Sequence, residues 1–286
     1  MALELAWAGM PCWAQTNADP LSKSFAAPVV LQSLKTAYPG VLTQVRLAGT
    51  EWSFQVRGEK FLWASGRLLP QPLSGRWISF APQPFYQYTR KIPAVADWTS
   101  EQELAVEALL TDRKATNVAR NGAFFDALWR IHNRGEADQR QRKLKLFGLQ
   151  VTMHQDVVDS LRRVEKAVTT AAARDTEVAA FLAQLKRMEG FNWRDIAGTQ
   201  SRSNHAYGTA LDLIPKSYGG KAVYWLWAQT DTAHWYKWTW AHRWTPPPGV
   251  VEAFEAEGWV WGGKWLLFDT IHFEYRPEIL VLNGLR

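Results

Sequence analysis

The sequence predicts an α+β fold, and three observations carry that prediction. Apolar and polar residues alternate with period two across residues 41–64, the pattern of half-buried strands. Val157, Leu161, Val164 and Val168 recur at i, i+4, i+7 and i+11, which places them on one helix face. The two kinds of segment come in runs rather than in regular alternation, so a doubly wound parallel sheet is not expected. With 286 residues, 47% apolar and 21% charged, the chain can bury a sizeable core and lacks the composition of a disordered or fibrous protein.

Taken in order, residues 28–37 read as a short helix stopped at Pro39-Gly40. A small antiparallel sheet follows from Val41–Leu47, from Trp52, Phe54 and Val56, and from Lys60–Ala64, with Arg57-Gly58-Glu59 as a turn. Pro70, Pro72, Pro82, Pro84 and Pro93 exclude a central strand or helix and mark a linker or wrapping segment. Ser100-x-x-Glu103 forms a capping box leading into Leu104, Ala108 and Leu109. Residues 122–132 make another short helix, and the basic run Arg140–Lys145 reads as a solvated face. Leu144, Leu146, Leu149, Val151 and Met153 suggest one strand kinked at Gly148. Val178, Phe181, Leu185 and Met188 suggest one helix from an Asp175 N-cap to Gly190.

Composition limits function further. No uninterrupted apolar run approaches the roughly 20 residues needed to cross a bilayer. A single cysteine, Cys12, excludes an intramolecular disulfide framework and a multi-cysteine zinc site, so any metal must be held by His and carboxylates. The net charge of +6 suits solubility or an anionic partner, and no nucleic-acid-binding motif accompanies it. At the start of the chain, the apolar stretch 5–14 ends in Cys12-Trp13-Ala14, which resembles a small-x-small cleavage site, although Glu4 stands where a signal carries Lys or Arg. Export is the expectation. Cleavage after Ala14 would leave a chain without cysteine, as suits an oxidising compartment.

The informative segment is Ser203-Asn-His205-Ala-Tyr-Gly208-Thr-Ala210-Leu-Asp212. His205 offers an imidazole and Asp212 a carboxylate, with Gly208 between them to let the chain turn. Ala210 and Asp212 share one face of a strand, while Leu211 and Leu213 point to a core. A second segment, Asp269-Thr-Ile-His272-Phe-Glu274, adds a third ligand in His272 and a nearby carboxylate in Asp269. Two His and one carboxylate leave a fourth tetrahedral position of Zn²⁺ open for water, whose proton a neighbouring carboxylate can take. In a straight strand residues 269 and 272 would face opposite ways, so this reading requires a turn or bulge between them.

The pair of motifs, SxHxxGxAxD and DxxHFE, resembles the zinc D-alanyl-D-alanine carboxypeptidases and L-alanyl-D-glutamate endopeptidases of bacterial walls and phage endolysins, the VanY-type family. The likeness covers about residues 145–280. It implies one zinc ion on His205, Asp212 and His272, with Asp269 as general base and then general acid, although several members carry glutamate there. It implies a fold with a small antiparallel sheet and flanking helices around the zinc, as in DD-peptidase and Hedgehog-like domains. Arg194, in a segment resembling the one whose arginine holds the scissile carbonyl oxygen or a substrate carboxylate, is assigned to charge stabilisation, with Arg202 in reserve. Ser203 and Glu274 are expected to support the ligands or touch substrate.

The expected organisation is a signal-like or disordered segment over 1–19, a β-rich accessory module with its Pro-rich linker over 20–95, and the zinc peptidase domain over 96–286. The expected protein is a monomeric, exported zinc peptidase that hydrolyses peptidoglycan stem peptides by attack of an activated water, without nucleic acid or a membrane span. The alternatives are a non-catalytic, zinc-stabilised wall-binding module and a phage endolysin. His132, His154, His234 and His242 have no paired spacing and read as satisfied or surface histidines. Nine of the 17 tryptophans fall between Trp225 and Trp265, and packing is the favoured reading, with a few rings lining the cleft.

Overall fold

The computed structural model describes residues 25–91, 99–116 and 118–286. The expected signal-like segment, with Cys12 and Ala14, and Pro93 lie outside the described residues. Helix α1 (Ala27–Ala37) opens with Pro28 in its first turn and buries Val30, Leu31 and Leu34. Strands β1 (Leu42–Ala48), β2 (Glu51–Val56), β3 (Glu59–Ala64) and β4 (Arg67–Pro70) form an antiparallel meander in that order. Val56 pairs with Glu59 and Ala64 with Arg67, so each of these hairpins closes through two residues, Arg57-Gly58 and Ser65-Gly66. All four have positive φ, the type I′ geometry whose twist matches that of the strands. The fourth strand was not expected. Pro70 is tolerated in it because β4 is at the sheet edge and ends there.

The Pro-rich stretch is a 3₁₀ turn (Gln71–Ser79) followed by an extended strap. Phe85, Tyr86 and Tyr88 of the strap are buried. The Tyr88 hydroxyl donates to Glu255 and accepts from the Trp261 amide at 2.8 Å. Lys264 is also buried, donates to the carbonyls of Thr89 (2.8 Å) and Arg90 (2.7 Å), and pairs with Glu255. Tyr38, just past α1, donates to Glu278 at 2.7 Å. One continuous core therefore runs from Val30 through Phe61, Phe85 and Leu161 to Leu280.

Helix α2 (Ser100–Thr116) begins at Ser100 itself. Its buried side chains are Val106 and Leu109, which join Trp225, Trp235 and Phe268 in a second apolar cluster. Leu104 is 65% exposed, and Ala108 is exposed too. Short helices α3 (Ala123–Trp129) and α4 (Arg134–Arg140) lead to strands β5 (Gln141–Leu146) and β6 (Leu149–His154). The expected single kinked strand is thus a hairpin, because Phe147 and Gly148 both take positive φ and reverse the chain. Leu144, Leu146, Val151 and Met153 face the core, while Arg142, Lys143 and Lys145 are exposed.

Helix α5 (Val158–Ala172) buries Leu161, Val164 and Val168 as the spacing predicts. Helix α6 (Thr176–Gln184) starts at the Asp175 cap, whose carboxylate accepts from the Glu177 and Val178 amides. It stops five residues before the expected end, because Leu185–Glu189 is strand β7. The i, i+3, i+4 spacing of Leu185 and Met188 imitated a helix; a register shift between Leu185 and Arg187 lets both be buried from a strand. Helix α7 (Asn204–Tyr207) and strand β8 (Ala210–Pro215) follow. Then come helix α8 (Trp225–Asp231), helix α9 (Pro248–Ala256), strand β9 (Trp259–Trp261), strand β10 (His272–Tyr275) and helix α10 (Pro277–Leu282). The second sheet has the order β7-β8-β10-β9, antiparallel throughout. The fold is α+β. Among the described residues no helix is long and apolar enough to cross a membrane.

The tryptophans of 225–265 serve both clusters: Trp225, Trp235, Trp259, Trp261 and Trp265 are buried. Trp227 is 59% exposed and stands edge-on to Tyr224.

The Lys264 clamp sets a stability test. Burial raises the Glu255 pKa and lowers that of Lys264, so each charge depends on the other. Lys264→Ala is expected to cost about 3–5 kcal/mol in urea unfolding, because it strands a buried carboxylate. A variant as stable as the parent would show that the strap is held by its aromatic side chains alone.

Candidate metal centre

Strands β8 and β10 are adjacent and antiparallel, and their register puts Asp212 opposite His272, Leu211 opposite Phe273 and Ala210 opposite Glu274. Leu211, Leu213 and Phe273 are fully buried, so Asp212 and His272 emerge together on the other face. His205 arrives from α7. The Ser203 hydroxyl caps this helix by accepting from the His205 amide at 3.3 Å, and Gly208, at φ 71°, ends it. The Gly208 carbonyl then accepts from the His154 amide at 2.9 Å, and the chain enters β8. A turn through Thr270 and Ile271, closed by the His272 amide donating to the Asp269 carbonyl at 3.3 Å, brings Asp269 round to His272. The turn that the sequence reading required is there.

The donor atoms converge. His205 Nε2 lies 3.3 Å from His272 Nδ1 and 3.4 Å from Asp212 Oδ1, and His272 Nδ1 lies 2.8 Å from Asp212 Oδ1. Ligand atoms at about 2.0–2.1 Å from a tetrahedral zinc stand roughly 3.3 Å from one another, so the three atoms are spaced as one ion needs them. Tautomers are set from behind. His205 Nδ1 donates to the Gly190 carbonyl at 2.6 Å, and His272 Nε2 donates to Glu274 Oε1 at 3.1 Å. Both partners only accept at those contacts, which leaves His205 Nε2 and His272 Nδ1 to bind a cation. Imidazole and carboxylate are ligands suited to zinc, and the residues fit the ion.

Charge is concentrated here. Burial by itself would raise Asp212, but His205 and His272 outweigh it and hold its carboxyl far below the usual range. Burial would lower His272, yet its hydrogen bonds to Asp212 and Glu274 raise it well above an ordinary imidazole. The proton held between His272 and Asp212 is the one a metal ion would replace. Glu274 is pulled down to about 2, against burial, by His272 and then Arg276. Asp269 goes the other way: burial pushes it up to about 7, Asp212 adds to this, and His272 and Arg194 oppose it. Its Oδ1 is buried without a hydrogen-bond partner.

The centre opens into a groove of about 390 Å³ between β6 and β7. Arg194 lines it together with His205 and Asp212; it is exposed, and its guanidinium donates to the Asp195 carbonyl at 3.3 Å. Arg202 does not reach this groove. It pairs with Asp126, lies 4.7 Å over the Trp193 ring, and ties the loop after β7 to α3. No tryptophan lines the groove among the described residues. His154 is buried and satisfied, its Nε2 on the Trp129 carbonyl at 3.1 Å.

Residues 197–275 match the family described as D-alanyl-D-alanine carboxypeptidase. The resemblance carried by the two motifs is thereby borne out, and a carboxypeptidase of this description is a hydrolase of peptide bonds. The matched interval contains His205, Asp212, Asp269 and His272, and leaves out Arg194 and the β5–β6 hairpin. No solved structure matches the chain.

Gly190 is a functional position the sequence reading took for a helix cap. A Cβ there would meet the Thr152 carbonyl and Met153 sulfur at 2.3 Å, so β6 can press against the segment whose carbonyl orients His205 only if residue 190 has no side chain. Gly190→Ala is expected to weaken zinc binding by about 10–100-fold in a chelator competition while far-UV circular dichroism is retained. Unchanged affinity would mean that His205 is held by α7 alone. Asp269 sets a pH test. Its folded-state pKa of about 7 lies above its ordinary 3.8, so the folded state keeps a proton that the unfolded chain releases, and stability falls as pH rises through that window. In metal-free protein, Asp269→Asn is expected to change nothing at pH 3 and to stabilise by up to about 4 kcal/mol at pH 8. Equal effects at both values would contradict the burial argument.

Proposed function

We propose that the protein is a zinc-dependent peptidase that hydrolyses peptidoglycan stem peptides outside the cytoplasm, as a D-Ala-D-Ala carboxypeptidase or a related endopeptidase. The observation that carries this reading is the convergence of His205 Nε2, Asp212 Oδ1 and His272 Nδ1 at one end of an open groove, beside a buried carboxylate with an unpaired oxygen. Zinc held by these three residues supplies Lewis-acid polarisation of a carbonyl and acidifies water to a pKa of about 7.

The remaining work falls to side chains. Asp269 accepts the proton of the attacking water as its oxygen bonds to the scissile carbonyl carbon, then returns that proton to the amine nitrogen as the C–N bond breaks. Burial raises this carboxyl in the metal-free protein, and a cation held beside it would lower it again and favour the ionised form that accepts a proton. Arg194, which makes no ion pair among the described residues, steadies negative charge on the carbonyl oxygen or on a substrate carboxylate. Glu274 and the Gly190 carbonyl hold the two imidazoles at fixed angles, and Ser203 fixes the start of α7.

The second reading, a metal-stabilised wall-binding module without turnover, leaves Asp269 unexplained. A structural site closes its coordination with ligands and has no use for a buried carboxylate with an unpaired oxygen at its side. Incubation of the zinc-loaded protein with purified muropeptides, followed by mass spectrometry, separates the readings. Loss of one alanine identifies a carboxypeptidase, a cut within the stem an endopeptidase, and unchanged masses would sink the peptidase reading. Asp269→Ala is expected to keep its zinc and to lose about 10²–10⁴-fold in turnover. A fully active variant would remove the base assignment.

A further inference from the structure

The groove holds a second cation that the proposed chemistry does not use. Lys143 lies on β5 opposite Thr152 of β6, and both line the groove with His205 and Asp212. Leu144 and Val151, the next pair along the hairpin, are buried, so the hairpin is anchored by one face and turns Lys143 outward on the other. The Lys143 ammonium is exposed and makes no ion pair or hydrogen bond among the described residues. Its position sets it apart from the other exposed lysines, since it is the lysine that lines the groove. Glu189, the acid on the opposite wall, is already taken by Arg187 at 2.8 Å. Lys143 and Arg194 are therefore two cationic side chains without a direct ion pair among the described residues, lining one concavity. The volume of that concavity falls within the roughly 300–1,000 Å³ of small-ligand sites.

We propose that Lys143 is a specificity-determining residue that binds a carboxylate of the substrate, so that the enzyme selects acidic peptides over their amidated counterparts. The inference rests on the peptidase reading and deepens it. A cation within a groove acts on an anionic ligand through a lower-dielectric surrounding than open solvent, and steers its approach as well. The carboxylate is either the C-terminal one or an acidic side chain, and both present the same two oxygens to an ammonium.

Three synthetic stem peptides distinguish these sources: the acidic parent, its C-terminal amide and its side-chain carboxamide. Each is measured with the zinc-loaded protein and with Lys143→Met, as KM and kcat, and as Kd by calorimetry in an Asp269→Asn background. Lys143→Met is expected to weaken the parent peptide about tenfold in KM and Kd. Its kcat should stay within about twofold. The same substitution is expected to leave unchanged the one amide that already lacks the recognised carboxylate, and Lys143→Arg to restore the preference. An acid-to-amide ratio of Kd that is the same in the parent protein and Lys143→Met overturns the inference and leaves the peptidase reading standing. Failure of the unaltered protein to bind or cut any of the three overturns the peptidase reading and the inference with it.

Discussion

The pairing register of β8 with β10 is the constraint on which the centre depends. Asp212 and His272 meet because Leu211, Leu213 and Phe273, which have no chemistry, must all turn to the core. A slip of one residue would send the carboxylate into that core and bring leucines to the candidate metal centre. The side chains in the second sheet that do nothing for catalysis are therefore what keeps the ligands in place. His205 is held by a different device, a one-turn helix capped by Ser203 and stopped by Gly208, with the Gly190 carbonyl behind its ring.

A centre of this kind is a local debit in folding free energy. Asp269 Oδ1 and Glu274 Oε2 are buried without hydrogen-bond partners, and His272 and Asp212 crowd a proton between them. Compensation comes from apolar and aromatic packing elsewhere. Phe254 stacks on Phe273 with ring centroids 4.2 Å apart, directly behind the ligand strand, and Trp261 donates its indole N–H to the Thr270 carbonyl at 2.7 Å. The tryptophan-rich stretch thus braces the turn that carries Asp269, and its density in the sequence follows from that mechanical task.

Much of this was legible in the sequence, for identifiable reasons. A candidate metal site needs a fixed residue type at a fixed offset, so His205, Asp212 and His272 stood out, and so did the turn before His272. The valines of α5 read correctly because a helix face tolerates no other period. What could not be read is what depends on partners distant in sequence. Leu185 and Met188 imitate a helix by spacing, and only pairing with β8 makes them a strand. Gly190 looked like a cap because its neighbours Thr152 and Met153 are brought by another segment. Lys143 and its basic neighbours looked like plain surface because a strand's outward face becomes a groove wall only when β7 arrives opposite it. The capping box of α2 does not say which of its faces is covered, because the cluster it joins is formed by residues 225–268.

The strap has a consequence for how the chain comes together. Tyr38 meets Glu278, 240 residues further along, and Tyr88 waits on Glu255 and Trp261. During synthesis α1 emerges long before α10 and Glu278, so it waits for its partner helix, whereas Phe54 and Phe61 of the meander meet Phe124 of α3 much sooner. A chain cut short before residue 280 would leave α1 without the helix it packs against.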